Sequence, residues 1–241
     1  MTAVDTRPAM PARDPPARPA RRANIVERLK KYFRQGLRDW IREFLEYKYL
    51  IALSLVLIAV AMYLDYLAGV YVSSTYSIQV PDLILDHVEP VDLDFLFVYG
   101  YVALITGLVL YPLFFHIRIF HIAISQLSLL VMLRSLFMIF THLETPPDSV
   151  PVHFPSVFGK LYFENDMFFS GHTAIPFLGF YLFHTSPIRY VFLAGSIVMA
   201  ITVLVMHLHY SIDVFSAFFI TYCSYRIGNV CLRMIDARYH E

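Results

Sequence analysis

Six apolar stretches, at roughly 49–72, 95–115, 119–140, 172–185, 190–208 and 212–232, take up about half of this 241-residue chain. An α-helix rises about 1.5 Å per residue, so about 20 residues cross a hydrocarbon core of about 30 Å. Five stretches meet that length. The fourth is short, and is expected to start in the loop before it or to kink at Pro176. The pattern predicts an all-α, polytopic membrane protein with six transmembrane helices. Composition agrees: 58% of residues are hydrophobic and 16% charged, with a mean hydropathy of +0.57. A soluble domain carries about 25% charged residues, so an ordinary water-soluble protein is excluded.

The formal net charge is zero, from 19 basic and 19 acidic residues, but the two signs are segregated. Twelve of the basic residues lie in the first 48 positions, and eleven of the acidic ones lie in 65–213. A zero balance excludes a basic nucleic-acid binder of the usual kind. Cytoplasmic loops of membrane proteins collect Lys and Arg. With residues 1–48 inside, His116–Arg118, Thr185–Arg189 and the C-terminal end with Arg226, Arg233 and Arg238 also fall inside. The outside segments are then 73–94, 141–171 and the turn near 209–212. They hold Asp82, Asp86, Glu89, Asp92, Asp94, Glu144, Asp148, Glu164 and Asp166 against a lone Lys160. Both termini are expected in the cytoplasm, and the Arg-biased tail suits a bacterial inner membrane.

Residues 1–23 are rich in Pro, Ala and Arg without apolar periodicity, the composition of a disordered tail rather than a secretory signal. Over 24–48, apolar residues from Ile25 to Leu45 recur at helical spacing, with Arg28, Lys30, Lys31, Arg34, Arg38 and Arg42 between them. This predicts a basic amphipathic helix, lying on an anionic membrane surface or on the protein's own cytoplasmic loops. Residues 49–241 form the remaining, six-span domain. Cys223 and Cys231 are too few for a disulfide framework.

Ionisable residues inside spans are costly and mark function by default. Ser170-Gly171-His172-Thr173 opens the fourth stretch, where unpaired N–H groups of a helix start can bind an anion. A plain helix cap explains the same tetrapeptide. His209 and Asp213 lie four residues apart at the turn into the sixth stretch, on one helical face. A carboxylate holding one imidazole N–H leaves the other nitrogen free as nucleophile or base, although such a pair is also a common structural contact. Arg134 lies near the outer end of the third stretch and needs an anion: Asp166, Asp213 or a substrate phosphate. The proline-punctuated acidic segments 80–86 and 145–148 read as solvated turns. His172, His209 and Asp213 also make a conceivable metal set, and Ser170 a conceivable acyl-transfer nucleophile, but the Gly-x-Ser-x-Gly elbow is missing.

Ser-Gly-His-Thr at 170–173 followed by His-Tyr-Ser-x-Asp-Val at 209–214, on six spans, resembles the sphingomyelin synthase family within the type 2 phosphatidic acid phosphatase superfamily. Asp166 matches the acidic residue before the first motif, with Asn165 in place of the family's Gly and Glu164 in place of its Cys. Val-Pro-Asp-x-x-x-Asp at 80–86 is similar to the family's first-loop segment, and Arg134 with Thr141 and Pro146 to its third-span pattern. The likeness covers roughly 49–232. It implies His209 as nucleophile, Asp213 as its orienting carboxylate and His172 as acid and base. Arg134, Ser170, Gly171 and Thr173 would hold the phosphate, with Asp166 in support. It also implies a phospholipid donor, a ceramide- or diacylglycerol-like alcohol acceptor, and no metal or other cofactor.

One departure sorts the superfamily. Its monoesterases resemble one another in a Lys-x6-Arg-Pro motif and an Arg six residues before the second His. Here Arg-Pro occurs only at 7–8 and 18–19, and Val203 stands six before His209. A phosphomonoester carries nearly two charges and a diester one, so the missing cations favour diester transfer. The competing expectations are a lipid phosphatase or phospholipase C-like hydrolase using water at the same residues, and a non-catalytic transporter or scaffold.

Overall fold

The computed structural model describes the backbone of residues 25–153 and 165–235, and side chains from 35 onward within those ranges. The expected tail at 1–23, Lys160 and Glu164 lie outside the described residues. The chain divides into two units, Met1–Ile41 and Arg42–Glu241. In the first, the described residues are helical, and Leu37 and Ile41 are exposed.

Six α-helices make up the described chain: α1 (Ile25–Ser74), α2 (Tyr101–Phe115), α3 (Ile117–Phe140), α4 (Gly171–Leu182), α5 (Arg189–Val205) and α6 (Ser211–Ile235). A π-helical turn, Leu96–Gly100, leads into α2. No strand occurs among the described residues, only an isolated bridge between Ile78 and Leu143. Three helical segments are long and apolar enough to cross a membrane: Gln35–Ser74, Leu96–Phe115 and Ile117–Phe140. Their large apolar side chains are exposed in number, Leu53, Val56, Val60 and Tyr63 of α1 among them, as a hydrocarbon surround requires. Arg189–Val205 is apolar but shorter.

The expected helical stretches are found, with altered limits. The amphipathic segment and the first apolar stretch were expected as separate helices, but α1 has no boundary near residue 48. No Pro or Gly falls between 37 and 67 to break it. The fourth stretch begins at Gly171 and ends at Leu182, with Pro176 inside the helix. Pro176 has no N–H to give the carbonyl of His172, four residues back.

The helices pack as α4 on α5 and α6, α2 on α3, and α3 on α6. Small residues set two of these approaches, as is usual where lipid supplies no hydrophobic drive between helices. A Cβ at Gly179 would sit 2.5 Å from the Phe192 ring, so a side chain there would push α5 away from α4. A Cβ at Gly228 would sit 2.2 Å from Gln126 Oε1, where α6 meets α3. Gln126 Nε2 donates to Asn229 Oδ1 at 2.7 Å, a polar tie inside that interface.

The loops 75–95 and 141–153 and the turn 206–210 are sewn together at one end. Val91 N–H donates to the Val205 carbonyl, and Val150 N–H to the Met206 carbonyl, both at 3.0 Å. The acidic segments expected as solvated turns are more than that. Asp82 is buried, and its Oδ2 accepts from Ser211 N–H at 2.7 Å and Ser211 Oγ at 2.8 Å. A loop carboxylate thus caps α6, one turn before Asp213. Burial alone would raise the Asp82 pKa. The bonds from Ser211, Ile84 and Leu85 outweigh it and hold the carboxyl below the ordinary aspartate value.

Candidate phosphoryl-transfer site

Five residues before α4 set up its start. Asn165, Phe168 and Phe169 all have positive φ, at 59°, 72° and 32°. Asn enters that region more readily than any residue but Gly, so Asn165 suits a position where the resembling family carries Gly. The Asn165 side chain accepts from Thr145 N–H at 3.0 Å, which ties this segment to the preceding loop. Two consecutive phenylalanines in the left-handed region carry backbone strain, the kind of local cost that clusters at functional sites.

The strained segment delivers Ser170 to the N-cap of α4. Its backbone is extended, its side chain makes no capping bond, and Oγ is buried without a partner. A cap therefore does not account for this serine. Its backbone N–H donates to the Asp213 carbonyl at 3.1 Å, joining the starts of α4 and α6. The Ser196 hydroxyl donates to the Thr173 carbonyl at 2.8 Å and fixes the first turn of α4 to α5.

At the start of α6, His209 Nδ1 donates to Asp213 Oδ2 at 3.2 Å, and Tyr210 N–H donates to the same oxygen at 3.1 Å. Asp213 is fully buried and His209 nearly so. The bond fixes the tautomer with the proton on Nδ1 and leaves Nε2 with its lone pair free. Tyr210 is buried as well. Its hydroxyl donates to the Glu144 carbonyl and accepts from Val80 N–H, so both loops hold the dyad's turn in place.

His172 is clamped from both faces. The Phe97 ring stacks on it at 4.0 Å and 20°, and the Tyr101 ring at 3.9 Å and 32°. Phe97 lies in the π-helical turn and Tyr101 directly after it, so this local deviation from α-geometry shapes the clamp. At the edge of the imidazole, Nε2 is buried and has no partner. His172 lies within electrostatic reach of both His209 and Arg134.

Arg134 is held by two carboxylates. Its Nη1 pairs with Asp65 Oδ1 at 3.2 Å, and its Nη2 pairs with Asp166 Oδ2. Asp166 was one of three expected anions. Asp213, another, is not its partner; His209 and Tyr210 both bond to its Oδ2. Asp65 of α1 went unrecognised in the sequence, although it is the lone ionisable residue of the first apolar stretch. Arg134 Nε has no partner, and a Cβ at Gly171 would lie 3.3 Å from it. The guanidinium edge therefore faces the first residue of α4, and glycine allows the approach.

Buried polar atoms without partners gather at this point: Arg134 Nε, Asp166 Oδ1, Ser170 Oγ, His172 Nε2, Thr173 Oγ1 and Asp213 Oδ1. Native interiors pair such groups, and leaving one unpaired costs about 1–3 kcal/mol, so six together mark a candidate site for a polar ligand. Three can donate or accept as needed, one only donates, and two carboxylate oxygens only accept, unless protonated. The cavities of about 170 Å³ among α1, α3 and α6 and about 380 Å³ among the loops are lined by neither His172, His209 nor Asp213. Ser170 Oγ bonds to neither histidine, which gives the acyl-transfer reading no support. Among the described residues, no three His, Cys, Asp or Glu side chains converge as metal ligands do. No protein-family model matches this chain, and no curated protein matches it.

Proposed function

We propose that this protein is an integral-membrane phosphotransferase that moves a phospho-head-group from a phospholipid onto a ceramide- or diacylglycerol-like alcohol through a phosphohistidine at His209. The observation that carries the reading is the buried His209–Asp213 dyad, joined through the Ser170–Asp213 backbone bond to a helix start rich in unpartnered donors. His209 Nε2 attacks phosphorus, with Asp213 holding the imidazole plane and stabilising the positive charge it gains. His172 Nε2, as imidazolium, protonates the departing diacylglycerol oxygen. The neutral imidazole then takes the proton from the acceptor hydroxyl, whose oxygen displaces His209. The N–H groups of the first α4 turn, the Ser170 and Thr173 hydroxyls and Arg134 Nε meet the charge on the phosphoryl oxygens.

The resemblance to the sphingomyelin synthase family supports the same assignment. The six-span arrangement with both termini cytoplasmic belongs to this proposal. Its support is the three long apolar helices, the packing of α4, α5 and α6 against α2 and α3, and the basic ends of the chain. The site then faces the side away from the cytoplasm.

The test uses purified protein in nanodiscs with labelled phosphatidylcholine, phosphatidylethanolamine, phosphatidylinositol or phosphatidate, with and without ceramide or diacylglycerol. Head-group transfer that needs the acceptor and vanishes in His209→Ala is the expected result. Release of the phosphorylated head group without acceptor assigns the hydrolase reading. Free phosphate from phosphatidate as the sole activity overturns both transfer and diester specificity.

A further inference from the structure

The Arg134 cluster contains more negative charge than a phosphate site needs to stay neutral. One guanidinium meets two carboxylates, Asp65 through Nη1 and Asp166 through Nη2. Nε is the nitrogen of that planar fork that neither carboxylate engages, and it faces Gly171 at the start of α4. The cluster therefore offers a directed N–H donor without surplus positive charge. Asp166 belongs to the loop that also carries Ser170. Asp65 comes from α1, and the Ser135 hydroxyl, one residue from Arg134, donates to its Oδ1 at 3.0 Å. Asp65 is thus an added carboxylate, brought to the site by a different helix and fixed there by two partners.

We propose that Asp65 sets the charge selectivity of the phosphoryl site, making it accept a singly charged phosphodiester and reject a doubly charged phosphomonoester. This rests on the phosphotransferase reading above. A ligand phosphate at Nε lies on the guanidinium edge and feels the net charge of the whole cluster, because little water screens it within a bilayer. A diester brings one negative charge, which the α4 N–H groups and one Arg donor can meet. A monoester brings nearly two near neutral pH, and the second meets the Asp65 carboxylate rather than an unpaired cation. The same side chain keeps Arg134 in place, so Asp65 is a positioning residue whose charge also carries specificity.

The experiment measures binding of dioctanoyl phosphatidate, a monoester, and dioctanoyl phosphatidylmethanol, a diester with the same tails, to the full chain in detergent at pH 8. The proteins are wild type, Asp65→Asn, and Ser135→Ala, which removes a hydrogen bond without changing charge; Asp65→Ser serves if Asp65→Asn does not accumulate. Wild type and Ser135→Ala should prefer the diester by tenfold or more, and the neutral Asp65 variant should narrow that ratio about tenfold. Equal affinity in the wild type, an unchanged ratio in the neutral variant, or the same narrowing in Ser135→Ala would each overturn the proposal. Acceptor-dependent transfer that persists alongside any of those results leaves the phosphotransferase reading standing and removes only the role of Asp65. Absence of both binding and transfer removes both.

Discussion

Ser170 and Asp213 meet through their backbones: the Ser170 N–H donates to the Asp213 carbonyl at 3.1 Å, while Ser170 Oγ and Asp213 Oδ1 stay buried without partners. Ser170 and Asp213 are 43 positions apart in sequence, yet this bond ties the N-terminus of α4 to the N-terminus of α6. His209, the proposed nucleophile, and the α4 start proposed to hold phosphate therefore keep a fixed spacing. Geometry of that kind allows positioning to lower a barrier without new contacts in the transition state.

Asp213→Asn leaves that backbone bond in place but removes the carboxylate that fixes the His209 tautomer. The comparable Asp→Asn change in a Ser-His-Asp triad costs about 10⁴ in turnover. Transfer by Asp213→Asn should fall by about 10³–10⁴ in kcat, with donor KM little changed and thermal stability in detergent close to wild type. Steady-state kinetics with the labelled donor check this.

The stacked rings around His172 predict a smaller, kinetic effect. Aromatic pairs of this geometry are worth about 0.5–1.5 kcal/mol beyond their burial. Phe97→Leu should lower kcat by about two- to tenfold and leave donor KM nearly unchanged. Tyr101→Phe keeps the ring and should keep most activity, whereas Tyr101→Leu should not.

Asp82 predicts a pH-dependent stability. Its native pKa is depressed below the unfolded value of about 3.9, so its stabilisation is complete above that value and is lost as pH falls through the native one. Asp82→Asn should lower unfolding free energy by about 1–2 kcal/mol at pH 7. The gap between variant and wild type should close below about pH 4. Thermal melts across pH 3–7 measure both.

Asn165 tests the strained approach to α4. Asn165→Gly adopts the same φ and should lose only the bond that the side chain accepts from Thr145 N–H, about 1 kcal/mol. Asn165→Val places a β-branched residue at positive φ, and should cost about 1–3 kcal/mol and reduce transfer through displacement of Ser170. Equal behaviour of the two variants would show that backbone conformation does not matter there.

Much of the helical pattern was legible in the sequence, because length and hydropathy alone place α2, α3 and α5 to within a few residues. The limits of α4 were as close, but the three residues at positive φ that lead into it were not legible, since no periodicity reveals them. His209 and Asp213 were legible as a pair, because a helix start places residues four apart on one face. Asp65 carried a readable signal, a lone carboxylate among apolar residues, but a partner 69 positions away cannot be chosen from sequence spacing. Asp82 carried only the likeness of segment 80–86 to a family's first loop, because a carboxylate that caps a helix 129 positions later otherwise looks like any acidic turn.

The central claim is that His209 carries the head group between donor and acceptor. Purified protein in nanodiscs, given phospholipid donor without acceptor and quenched at alkaline pH, should gain the mass of one phosphorylated head group, mapped by fragmentation to His209. Addition of the alcohol acceptor should discharge the adduct into product. Product formation without any adduct at His209, or undiminished transfer by His209→Ala, would contradict the account.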